Sequence, residues 1–129
     1  MAVNSEIDLN FELEKDFKFE ASHYFEHADA NEVFKKIHGH SFAGTVCIKG
    51  QAQQKKGWIR DLWKIEQIIS DVIAPLDHAI LNDVDGLEKP ALEQIAKWIF
   101  DRLGPQLPGL FSVEVGRPSC GERARVIHS

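Results

Sequence analysis

Cysteine is scarce in this chain: of 129 residues only Cys47 and Cys120 are cysteines. Two are too few for a disulfide framework, which suits a reducing compartment and a cytoplasmic location. Long apolar runs are missing too, so no membrane span is expected. The first residues, "MAVNSEIDLN", lack an apolar stretch behind a basic start, so no secretory leader is expected there. Positive charge is in deficit, with 15 Lys and Arg against 20 Asp and Glu and a formal net charge of −5. Broad nucleic-acid binding, which sets many basic side chains against phosphates, is therefore not expected. Low-complexity segments and internal repeats are also absent.

What remains is an ordinary globular balance, 43% hydrophobic and 27% charged, in a length suited to one domain over residues 1–129. From Phe11 to Phe25 the odd positions read Phe, Leu, Lys, Phe, Phe, Ala, His, Phe. That period of two predicts a long strand with one buried face carrying His23. A second alternation, "HSFAGTVCIKGQ", puts Phe42, Val46 and Ile48 on the face of His40. Gln51–Gly57 reads as a hairpin turn and "GWIRDL" as a short returning strand. Asp61 can cap a helix whose stripe is Leu62, Ile65, Ile68, Ile69 and Val72, ended by Pro75. Pro90 opens a second helix with a stripe from Leu92 to Leu103, stopped by Gly104 and Pro105. "LFSVEVGR" and "RARVI" complete the strands. Strands grouped around two helices predict an α+β fold, with the helices on one face of an antiparallel sheet. The histidine-bearing face is expected to be the other one, covered by another subunit.

His38 and His40 are separated by one residue, Gly39, so in a strand both imidazoles point the same way. Gly39 leaves room there for close backbone approach. His23, in phase on the preceding strand, supplies a third nitrogen. Three imidazoles with an open fourth position describe a catalytic zinc site better than a structural one, which is normally closed by four protein ligands. His27 lies just beyond the strand and is placed at the surface or behind the ligands. The alternative for the His-x-His pair is incidental spacing.

"FEASHYF…IHGHSF" resembles the signature of the 6-pyruvoyl-tetrahydropterin synthase and 6-carboxy-tetrahydropterin synthase family. "GWIRDLWKIEQII", "LDHAILND" and "PALEQIAKWIFDRL" are similar to further family segments, in order over nearly the whole chain. The resemblance implies the T-fold, a four-stranded antiparallel sheet with two helices, assembled into oligomeric barrels, commonly hexamers. It also implies zinc on His23, His38 and His40, a reduced pterin such as 7,8-dihydroneopterin triphosphate as substrate, and an Asp77–His78 proton relay. Two departures stand out. The family's cysteine base is missing, and Glu32 is the candidate in its place, as in some relatives; the alternative is a solvated loop glutamate. Where the family has a pterin-anchoring Glu, this chain has Arg117, which only donates hydrogen bonds and suits an anionic or carbonyl-rich ligand. The implied function is a zinc-dependent lyase. The alternatives are the same zinc chemistry on an anionic non-pterin substrate, or a non-catalytic zinc or ligand-binding homologue.

Overall fold

The computed structural model describes residues 9–27 and 29–129, so most of the opening segment read for a leader lies outside the described residues. Two long strands come first, β1 (Phe11–His23) and β2 (His38–Gly50), joined through a 3-10 turn at Glu32–Lys35. They pair antiparallel in continuous register from Phe11 opposite Gly50 to His23 opposite His38. Helix α1 (Leu62–Ile73), the two-residue strand β3 (Ala79–Ile80) and helix α2 (Leu92–Leu103) follow, then β4 (Leu110–Arg117) and β5 (Glu122–Ile127). The sheet has five strands in the order β3-β1-β2-β4-β5.

The expected α+β architecture is present, with two corrections to its parts. The antiparallel four are β1, β2, β4 and β5, and β3 adds a fifth strand, parallel to the end of β1. Two residues with no alternation of their own give no strand signal. The strand expected at "GWIRDL" does not form: the chain bends through Trp58–Arg60 before Asp61 starts α1. Asp61 Oδ1 accepts from Trp63 N at 2.9 Å, and this cap takes the segment into the helix.

Both helices cover a single face, with α1 over β1 and α2 over β4 and β5. Ile65, Ile69 and Val72 of α1 and Ile95, Ile99 and Leu103 of α2 meet Phe19, Phe42, Val46, Val113 and Val115 of the sheet in one core. His23 and His40 belong to this same face, at its end, because side chains alternate and Phe19, Ala21 and His23 share a parity. That overturns the expectation that the histidines lie on the face away from the helices. The opposite face is polar, with Glu12, Glu14, Asp16, Thr45 and Glu114.

Gly39 does not act as expected either. A Cβ there would meet only Ala21 O at 3.7 Å, an ordinary contact. Packing does require a glycine at Gly44, where a Cβ would fall 2.1 Å from Glu114 O and 2.3 Å from the Phe17 ring.

Candidate metal centre

β1 ends on His23 and β2 begins on His38, and the register sets these two residues opposite each other with His40 opposite Ala21. The three rings converge, with centroids 4.6 Å apart for His23–His38, 5.2 Å for His23–His40 and 5.0 Å for His38–His40. One nitrogen from each lies within 4.8 Å of the others. His23 is 1% exposed, while His38 and His40 are half-buried.

Backbone carbonyls decide the tautomers. His23 Nδ1 donates to Pro90 O at 2.9 Å, and His38 Nδ1 donates to Lys36 O at 2.7 Å. A carbonyl can only accept, so each Nδ1 carries the hydrogen and each Nε2 the lone pair. His23 Nε2 and His38 Nε2 are buried with no hydrogen-bond partner. Buried unpaired acceptors are costly in a protein interior. Neutral imidazoles fixed through one nitrogen, with bare lone pairs on the other, are the donor set a divalent transition metal takes. The residues fit zinc.

Aromatic side chains wall the site. Phe42, fully buried, is 5.6 Å from both the His23 and His40 rings. Phe25 and Phe34 contact His23 and His38. Burial pushes the His23 pKa down to about 4, helped by the charges of His38, His40 and Arg117 and opposed by the Pro90 hydrogen bond. Burial and then the Arg117 charge lower that of His40.

The shift at His23 has a stability consequence for the metal-free protein. The unfolded imidazole takes a proton near pH 6.5 and the folded one only near 4, so stability is full above about 6.5. It is lost as pH falls through that window, by about 3 kcal/mol in all. Urea unfolding of chelator-treated protein at pH 7.5 and 4.5 should show this loss, and His23→Gln should flatten it.

The other candidates lie elsewhere. Asp77 and His78 occupy the turn between α1 and β3, held against β1. Asp77 Oδ1 accepts from Glu20 N at 2.9 Å, and Asp77 Oδ2 lies 3.0 Å from His78 Nδ1. The Glu20 amide and then His78 hold the Asp77 carboxyl below its usual pKa. His78 takes a positive φ of 61° and its side chain is 78% exposed. Its backbone N–H donates to Glu20 O, which fixes the turn. Glu32 sits on the 3-10 turn that brings Phe34 to His38, but its side chain is 85% exposed and pairs with Lys35 Nζ at 2.9 Å. His27, exposed, lies tilted 6.1 Å from the Phe25 ring and is not among the converging nitrogens. Cys47 is buried on the polar face of β2, opposite in parity to His40, and burial raises its pKa.

Arg117 closes the β4 side of the cluster. Its Nη1 lies 3.2 Å from His40 Nε2, and its Nη2 pairs with Glu122. Glu122 stands opposite Arg117 across β4 and β5, after a turn through Gly121 at φ 70°. The sequence signal for that pairing is the glycine-ended turn Pro118–Gly121, which sets the register. Pro90 lies just ahead of the Ala91 cap rather than in the first turn of α2, and its carbonyl orients His23.

The 6-pyruvoyl tetrahydropterin synthase family model matches residues 12–127 of the chain. This chain belongs to that family. It is 37% identical over 117 residues to a 6-carboxy-5,6,7,8-tetrahydropterin synthase of Synechocystis, covering 86% of this chain and 88% of the relative. It is 35% identical over 91 residues to a dihydroneopterin monophosphate aldolase of Pyrococcus furiosus, covering 70% and 76% of the two chains. Among solved structures, the Caenorhabditis elegans 6-pyruvoyl tetrahydropterin synthase superposes with a TM-score of 0.80 at 21% identity, covering 94% of this chain and 97% of that one. The Plasmodium vivax synthase matches with a TM-score of 0.69 at 17% identity, over 95% and 99% of the chains, in forms where a catalytic glutamate is replaced by cysteine or alanine. The architecture is thus the T-fold of this family.

Proposed function

We propose that the chain is a zinc-dependent lyase acting on a reduced pterin, 7,8-dihydroneopterin triphosphate or a related compound, with a 6-pyruvoyl- or 6-carboxy-tetrahydropterin synthase type of reaction. The observation that carries this reading is the three converging imidazoles, two of them with buried, unpartnered Nε2 lone pairs. A zinc ion held by His23, His38 and His40 would supply Lewis acidity toward substrate oxygens. Phe42, fully buried against His23 and His40, lowers the dielectric on the core side of that chemistry. Asp77 holds the His78 ring through Nδ1, leaving Nε2 to move a proton. Glu32 is assigned as the base, which requires it to leave Lys35 and turn inward when substrate binds. The catalytic glutamate replaced in the Plasmodium vivax forms supports a glutamate in such a role here.

Assembly belongs to the same proposal. Val33, Phe34 and Ile37 at one end and Leu62 and Trp63 at the other are large exposed apolar side chains, and β3 and β5 are open sheet edges. A homo-oligomer, with a hexamer favoured, would cover them. No helix among the described residues is long and apolar enough to cross a membrane; a cytoplasmic location is part of this proposal.

Arg117 favours a second reading, the same zinc chemistry on an anionic non-pterin substrate. Zinc-loaded protein incubated with 7,8-dihydroneopterin triphosphate separates the two, with products resolved by chromatography. The pterin reading expects one defined pterin product and a fall in turnover of about a hundredfold or more in Glu32→Gln. Unchanged turnover in Glu32→Gln would reassign the base. No conversion by protein that still binds zinc would shift the substrate to an anion held by Arg117, or leave a binding protein.

A further inference from the structure

The three imidazoles are not equivalent. His23 and His38 leave Nε2 bare, whereas His40 Nε2 has Arg117 Nη1 at 3.2 Å. A guanidinium has only donors and keeps its charge, so this contact uses the lone pair of His40 Nε2. That is the electron pair His40 would give to a metal. Arg117 and the metal therefore compete for one lone pair.

The Arg117 side chain is only 14% exposed, so its donors have few alternatives in water. Nη2 is paired with Glu122, while Nε is buried with no partner. When a metal takes His40 Nε2, Nη1 loses its acceptor too. Nη1 and Nε of this largely buried cation are then both unsatisfied, and leaving them so is costly. The partner that relieves this is an oxyanion on the metal: a carboxylate, a phosphate or an enolate oxygen. Guanidinium donors fit such oxygens in planar, paired geometry.

We propose that Arg117 couples metal and anion binding at the histidine triad. It weakens metal binding by holding His40 Nε2, and once metal is bound it becomes the donor for an anionic oxygen ligand beside the ion. The coupling rests on the three-histidine metal reading above and extends it to the class of ligand the loaded site prefers. Metal and anion then strengthen each other, because each removes a cost the other faces.

The test titrates protein with cobalt(II), followed by visible absorption, with formate as the probe anion. Removing Arg117 alone would leave Glu122 as a bare carboxylate beside the metal, so the variant is Arg117→Met with Glu122→Gln. Without formate it should bind cobalt about tenfold tighter or more than wild type, the size of one charge-assisted hydrogen bond. Formate affinity of the cobalt-loaded variant should drop by about tenfold or more. Equal cobalt affinities, or unchanged formate affinity, would overturn the coupling. Arg117→Gln with Glu122→Gln, which lets the two amides pair, reads the same two affinities should the first double variant fail to fold. His38→Ala separates the premise from the inference: cobalt binding as tight as wild type in that variant would sink the triad itself.

Discussion

Replacing His38 with alanine is expected to lower zinc affinity by at least about a hundredfold while leaving the fold in place. Four-ligand zinc sites carry roughly 10–16 kcal/mol of binding free energy, about 3 kcal/mol per ligand. His38 is the right member of the triad to remove. It is half-buried, so its loss opens little cavity, and its tie to Lys36 O holds a loop rather than the core. His23→Ala would lose the same ligand role but also a fully buried ring that packs on Phe42 and holds Pro90 O. His27→Ala is the control and should leave affinity unchanged, because His27 is not among the converging nitrogens. Competition against a chelating indicator measures all three. Equal loss in His27→Ala and His38→Ala would mean that zinc binds through the surface loop instead.

Much of this site was legible because strand periodicity is a strict code. With side chains alternating, His23, His38 and His40 could only share a face, and the register then had to bring them together. Which face was not legible. Phe17, Phe19 and Phe42 signal burial equally well against helices of the same chain or against another subunit. The choice came from α1 and α2 closing over β1 and β4. The helices themselves were readable from stripes and from the Asp61 cap, whereas "GWIRDL" misled because tryptophan and isoleucine are enriched in strands, a propensity that context overrides here. Asp77 and His78 were singled out by resemblance alone; their geometry, a left-handed His78 pinned to Glu20, depends on β3 meeting β1, which two residues cannot announce. The Arg117–His40 contact spans 77 positions in sequence and follows from β4 pairing with β2, a long-range fact that local patterns do not carry.

The second large effect is structural and falls on a glycine that looks unremarkable in "HSFAGTVCIKG". Gly44→Ala is expected to cost more than about 4 kcal/mol or to prevent folding. Gly44 sits in mid-strand on the core face, opposite Phe17 on one side and Val115 on the other. An added Cβ would meet a backbone oxygen, Glu114 O, at 2.1 Å and two atoms of the Phe17 ring at 2.3 and 2.8 Å. The Phe17 ring, parallel to Phe19 at 6.3 Å between centroids, would also have to shift. The Glu114 carbonyl cannot move without breaking the β2–β4 ladder. That ladder delivers Arg117 to His40, so any protein that does fold should also show altered metal affinity. Gly39→Ala provides the contrast. It lies between two metal-ligand candidates, yet its Cβ would find only Ala21 O at 3.7 Å. Losing a strand glycine there should stabilise slightly, by up to about 1 kcal/mol, through a less disordered unfolded chain. Urea midpoints for the two variants decide the matter. If Gly39→Ala proved the more damaging of the two, close approach at the histidine pair, rather than at Gly44, would be what the sheet requires.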